Sequence, residues 1–73
     1  MIQKSHFISK IRELNYTFKD RQKRTQLWRK RGGTHVIFLP LSDLLEDEFV
    51  ILTLRQAGCS KEDIQAFLTS AKT

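Results

Sequence analysis

The spacing of apolar residues changes period along this chain, and each change marks an element. Phe7, Ile8, Ile11 and Leu14 recur at i, i+1, i+4 and i+7, one face of a helix that Ser5 can cap and that ends near Asn15. Lys4, Lys10 and Arg12 then fall toward solvent. From Tyr16 the pattern alternates: Tyr16 and Phe18 point one way, Thr17 and Lys19 the other, as in a strand with one buried face. Past a charged turn at Arg21 to Arg24, the strand formers of Thr25 to Lys30 predict a second strand pairing back on the first. Gly32-Gly33 signals a hairpin, because glycine accepts the positive φ of tight primed turns. Thr34 to Leu39 is the most apolar strand of the three, and Pro40 stops it.

The second half reads as helical. Asp43 to Glu48 holds four acids, suited to the positive end of a helix dipole. Phe49 to Leu54 would suit a buried strand or a helix, and the residues after Leu54 favour the helix. Arg55 falls in a last turn, Gly58 sits where a left-handed helix end belongs, and Ser60-Lys61-Glu62-Asp63 has the form of a new N-cap, with Asp63 standing in for the usual Glu. Ile64, Phe67 and Leu68 give the last helix a narrow apolar face. The predicted order is α-β-β-β-α-α, an α+β domain over residues 1–73 whose three-stranded antiparallel sheet carries its helices on one face and leaves the other open.

Charge adds direction to this outline. Between Lys19 and Arg31 stand Lys19, Arg21, Lys23, Arg24, Arg29, Lys30 and Arg31 against Asp20 alone, or 7 − 1 = +6 where the whole chain is +5. The remainder is therefore close to neutral, and the basicity is local. A concentrated stripe of this kind calls for a polyanion, and the interspersed Thr25, Gln26, Leu27 and Trp28 make RNA or another nucleic acid the leading candidate, gripped through its phosphates. Leu27 and Trp28 alternate, so one packs in the core and the other faces out. An outward Trp28 beside Arg29 would stack on an unpaired base. In the third strand either Val36 and Phe38 or Ile37 and Leu39 face away from the helices, leaving apolar surface suited to a homodimer or a protein partner.

Composition narrows the remaining classes. Cys59 is the single cysteine and forms no internal disulfide, which together with the absence of a long apolar run or a signal-peptide core at Met1 to Phe7 predicts a soluble cytoplasmic protein and no membrane partner. His6, His35 and Cys59 are too dispersed for a metal site, no phosphate-cradling glycine motif is present, and no cofactor is expected.

The segment Leu54-Arg55-Gln56-Ala57-Gly58-Cys59-Ser60, with Tyr16 to Phe18, Arg21-Gln22-Lys23, Trp28-Arg29-Lys30 and Leu39-Pro40, resembles the HicA (YcfA-like) toxins of bacterial toxin–antitoxin systems. That resemblance implies a double-stranded-RNA-binding-like fold, binding to messenger RNA, metal-independent endoribonuclease activity and neutralisation by a partner antitoxin. The family's signature is Gly-Ser-His or Gly-Thr-His near the start of the second strand. Matching the strands in order puts Lys23-Arg24-Thr25 there, with Thr25 in place of the histidine. Matching the signature locally selects Gly33-Thr34-His35, at the cost of a recognisable third strand. Strand order favours the first register. In that register His35 lies early on strand three, from where it can approach the place vacated at Thr25. If the chain cleaves RNA, His35 is the expected catalytic residue, since an imidazole titrates near neutrality and can take the ribose 2′-hydroxyl proton. The other reading is a catalytically silent RNA-binding or protein-interaction module on the same scaffold.

Overall fold

The structure is a computed structural model that describes residues 1–71. The elements run β1 (Ile2–Gln3), α1 (Lys4–Glu13), β2 (Tyr16–Gln22), β3 (Thr25–Lys30), β4 (Val36–Pro40), β5 (Leu44–Leu45), α2 (Asp47–Gln56) and α3 (Lys61–Ala71). The sheet β2-β3-β4 is antiparallel throughout, and β1 pairs with β5 as a separate two-stranded ladder. This is the expected α+β class with three helices and a three-stranded antiparallel sheet. Periodicity does not predict β1 and β5, because two-residue strands leave no repeat to read.

Helix boundaries differ from expectation at one end. Ser5 does not cap α1; Gln3 is the N-cap residue, in extended backbone and without a side-chain bond, because pairing of Ile2 with Leu45 holds the chain extended up to that point. The Lys4 amide donates instead to the Asp43 carbonyl at 2.8 Å. The acidic run is accordingly split, with Leu44–Leu45 in β5 and only Asp47 and Glu48 in the first turn of α2. Phe49 to Leu54 is helical. Its end is a Schellman closure: the Cys59 amide donates to the Leu54 carbonyl and the Gly58 amide to Arg55, each at 3.0 Å, with Gly58 at φ 95°. Ser60 then caps α3, its Oγ accepting from the Asp63 amide at 3.2 Å.

One core joins all layers. Phe7 and Ile11 of α1, Tyr16, Trp28, Ile37 and Leu39 of the sheet, Val50 and Leu54 of α2, and Ile64 and Leu68 of α3 are buried together with Ile2 and Leu45. Phe7 is the hub, its ring 6.1 Å from Phe49 and 6.4 Å from Phe67 in tilted and edge-on contacts. The helical side covers β3 and β4 as far as Leu39, which is fully buried, but only the first residue of β2. Along β2, Tyr16 is buried and every residue from Thr17 to Gln22 is exposed. Most of β2 and the Lys23-Arg24 turn thus lie outside that cover.

Candidate nucleic-acid interface

Register decides which side chains share a face. Phe18 opposes Trp28, which opposes Ile37, and Gln26 opposes Leu39, so these lie on the helix side. Thr17, Arg29 and Val36 form the next row, and Leu27 opposes Phe38, on the open side. Of Leu27 and Trp28 it is the indole that faces the helices, in the row of Phe18 and Ile37, and it is only 3% exposed. An outward, base-stacking Trp28 is therefore not what the fold presents. Arg12 of α1 lies over the indole, 5.5 Å from its centroid, and Nε1 donates to Gln26 Oε1 at 3.3 Å. On the third strand, Val36 and Phe38 are the pair that face away, with Phe38 52% exposed.

The basic stripe runs along the hairpin, from the uncovered part of β2 to the loop after β3. Lys19, Arg21, Lys23, Arg24, Arg29 and Arg31 are exposed and Lys30 is half-buried. Among the described residues none of these seven cations has a carboxylate within 4.0 Å. The one acid of the stripe is occupied elsewhere, since Asp20 Oδ1 accepts from the Arg21 amide at 2.7 Å. It does so at a β-bulge between Phe18 and Asp20, where Lys19 is the extra residue. The hairpin closes through a two-residue turn, Lys23-Arg24, with Lys23 at φ 28°. Gly32-Gly33 does not form the primed hairpin turn expected of it: the Gly33 amide donates to the Lys30 carbonyl at 3.1 Å, closing a turn in which only Gly32 has positive φ. It lies in the longer β3–β4 loop, where Gly32 takes φ 75° and Arg29 Nε donates to the Gly33 carbonyl at 3.2 Å.

Two open grooves flank the start of β2. One, of about 330 Å³, runs along Thr17, Lys19, Arg29, Lys30 and Arg31 to the Gly32–Thr34 loop. The other, of about 390 Å³, lies on the helix side and is lined by Arg12, Asn15, Tyr16, Thr17, Phe18, Trp28 and Arg31. Thr17 and Arg31 border both, so the grooves form one basic surface wrapped around the strand edge. Phe18 stands in the second groove, 49% exposed, with its ring edge-on to Trp28 at 5.7 Å. Sequence alternation predicts Phe18 in the core alongside Tyr16. It is exposed because it lies on the outer edge strand: Trp28 and Ile37 in the same row are buried, so the cover at this level reaches β3 and β4 but not β2, a boundary that periodicity does not encode.

His35 precedes β4 and takes part in its ladder, its carbonyl accepting from the Lys30 amide at 3.0 Å. Its Nδ1 lies 2.6 Å from the Tyr16 hydroxyl, and the two rings meet edge-on at 5.8 Å. Burial pushes the Tyr16 hydroxyl above its ordinary value of 10.0, and the Cys59 thiol acts in the same direction, so at neutral pH the phenol keeps its proton. With a neutral imidazole the phenol then donates to Nδ1 and leaves Nε2–H as a donor. The reverse arrangement, Nδ1–H donating to the phenol oxygen, frees Nε2 to accept a proton. His35 does not approach Thr25. Thr25 pairs with Pro40, five residues along β4, which separates the two positions by roughly 17 Å of strand.

Among the described residues no three His, Cys, Asp or Glu side chains converge on a point that could hold a metal ion, and no helix is long and apolar enough to cross a membrane. No protein-family model, curated protein or solved structure matches this chain.

Proposed function

We propose that this protein binds RNA through the wrapped basic surface at the β2–β3 hairpin, on a double-stranded-RNA-binding-like scaffold of the HicA type. The observation that carries the reading is the concentration of seven cations, free of carboxylate partners among the described residues, along the β2–β3 hairpin and the loop after it. Cations that stabilised only the fold would be paired or would lie along buried surface. Here Lys19, Arg29, Lys30 and Arg31 line open grooves suited to the phosphates of a nucleic-acid backbone, with the exposed ring of Phe18 beside them for an unpaired base. The resemblance of Leu54 to Ser60 and of the hairpin to the HicA-like toxins supports the same reading and suggests an antitoxin as protein partner and the cytoplasm as location.

The binding test is a titration of short single-stranded and duplex RNAs at several salt concentrations. Changing Arg29, Lys30 and Arg31 together to Ala should lower the slope of log affinity against log salt by about 2 for single-stranded RNA, from about 0.7 per phosphate contact. Unaltered affinity at physiological salt would refute the proposal.

A second reading, RNA cleavage, rests on the contact between His35 and Tyr16. That contact orients the imidazole, and Arg31 and Lys30 stand nearby in chain and sheet to meet phosphorane charge. Incubation of a long unstructured RNA with the protein in EDTA separates the two: cleavage abolished by His35→Ala supports the enzyme, and retarded but intact RNA supports the silent binder.

A further inference from the structure

The two edges of the β2-β3-β4 sheet are built differently. The β2 edge is long, charged and interrupted by the bulge at Lys19, features that discourage another strand from pairing there. The β4 edge, Val36-Ile37-Phe38-Leu39-Pro40, has no charge, no bulge and no neighbouring strand. The bond from the Lys30 amide to the His35 carbonyl fixes the phase of the ladder, so residues 35, 37 and 39 point their backbone groups at β3. Val36 and Phe38 therefore aim an N–H and a C=O each away from the sheet. Among the described residues none of these four groups meets another backbone group there. Pro40, lacking an N–H, limits the available edge to the strand's first half.

We infer that two copies of this chain associate by antiparallel pairing of their β4 edges into a continuous six-stranded sheet. The phase admits a two-fold register in which Val36 opposes Phe38 of the other copy, with Ile37 at the axis. That register makes four backbone hydrogen bonds and brings Val36 against the exposed Phe38 ring on the open face. Charge favours a second copy as occupant and favours the antiparallel sense. Arg29, Lys30 and Arg31 precede β4, whereas Asp43, Glu46 and Glu48 come after it. Antiparallel pairing sets the Gly32–Thr34 loop that leads into β4 of each copy beside the acidic exit from β4 of the other.

The same arrangement disposes of the repulsion between two chains of charge +5. The β2 cations end up on the outer edges, five strand spacings or roughly 24 Å apart, and those of β3 three spacings or roughly 14 Å apart, both beyond the Debye length of about 8 Å at physiological salt. Pairing through β2 would instead set them side by side. A stable dimer buries about 800 Å² per partner, near one sixth of the 5111 Å² of this molecule, and a short strand edge supplies less. The association is therefore weak and concentration-dependent, and RNA is not needed for it.

Analytical ultracentrifugation of the full chain without RNA, from micromolar to millimolar concentration, tests the inference together with amide hydrogen exchange. The expected result is a monomer–dimer equilibrium in which exchange at Val36 and Phe38 slows as dimer forms, while amides along β2 are unaffected. Phe38→Lys, at an exposed position that folding tolerates, should weaken dimerisation at least about tenfold. Asp43→Arg, which puts a positive charge at the acidic exit, should also weaken it. A chain that stays monomeric to millimolar concentration would overturn the inference. So would a dimer that forms equally well with Phe38→Lys, or one that protects β2 in place of β4.

Discussion

Removing one oxygen atom from Tyr16 isolates the contact on which the cleavage reading depends. The ring of Tyr16 is 1% exposed and its hydroxyl meets His35 Nδ1 at 2.6 Å. In Tyr16→Phe the ring keeps its place in the core and its edge-on contact with the imidazole, so the loss is confined to the hydrogen bond. A hydrogen bond of this type contributes about 1 kcal/mol net, and His35, being half-buried, recovers part of that from water. The expected destabilisation is thus about 0.5–1 kcal/mol, a fall of roughly 4–8 °C in Tm at the upper end for a domain of this size. Tyr16→Ala, which also empties a core site, should cost about 3–5 kcal/mol. Thermal and urea unfolding by circular dichroism measures both. A Tyr16→Phe protein as damaged as Tyr16→Ala, or one with unchanged stability, would refute the assignment of a partly solvated, orienting hydrogen bond. The pH dependence has a definite sign. The folded chain holds the phenol proton above its ordinary value of 10.0, so the unfolded chain releases it first. The resulting stability is complete below pH about 10 and is lost as pH rises through the folded-state value. Because the chain has one tyrosine, its phenolate absorbance reports this site alone, and it should appear above pH 10.0 as unfolding sets in.

The same geometry sets further outcomes at three other positions. Gly58→Ala meets no atom within 4 Å but must hold φ 95°, so unfolding should show a loss of about 1–2 kcal/mol from backbone strain with RNA affinity unchanged. Phe18→Ala and Trp28→Ala should behave oppositely: Phe18→Ala leaves Tm nearly intact and weakens single-stranded RNA binding by about 1–3 kcal/mol, whereas Trp28→Ala destabilises the fold by about 3–5 kcal/mol.

Much of the scaffold can be read from local chemistry. Gly58 and Ser60 announce a helix end and a helix start, and both are realised by the expected backbone and side-chain bonds. The charge of Lys19 to Arg31 is equally plain, since it needs only counting. What escapes is anything set by the reach of a distant element. Whether Phe18 is core or surface depends on where α1 and the other helices stop covering β2. Whether Leu27 or Trp28 faces out depends on the register in which β3 pairs with its neighbours. The pairing of Ile2 with Leu45, which sets the start of α1 ahead of Ser5, joins residues 43 positions apart with two-residue strands that carry no periodic signal. His35 illustrates the same limit: its motif is visible in the chain, but its distance from Thr25 and its contact with Tyr16 are properties of register.

The bulge at Lys19 sets the valence of the sheet. A molecule with two adhesive edges adds copies at both ends and grows without limit, as cross-β assemblies do. With β2 closed by its bulge and charges, each molecule has a valence of one at β4, and growth terminates once two edges have met. A deletion of Lys19 that restored regular pairing between β2 and β3 would remove a charge and straighten that edge together. The change would turn a self-limiting pair into a unit able to polymerise.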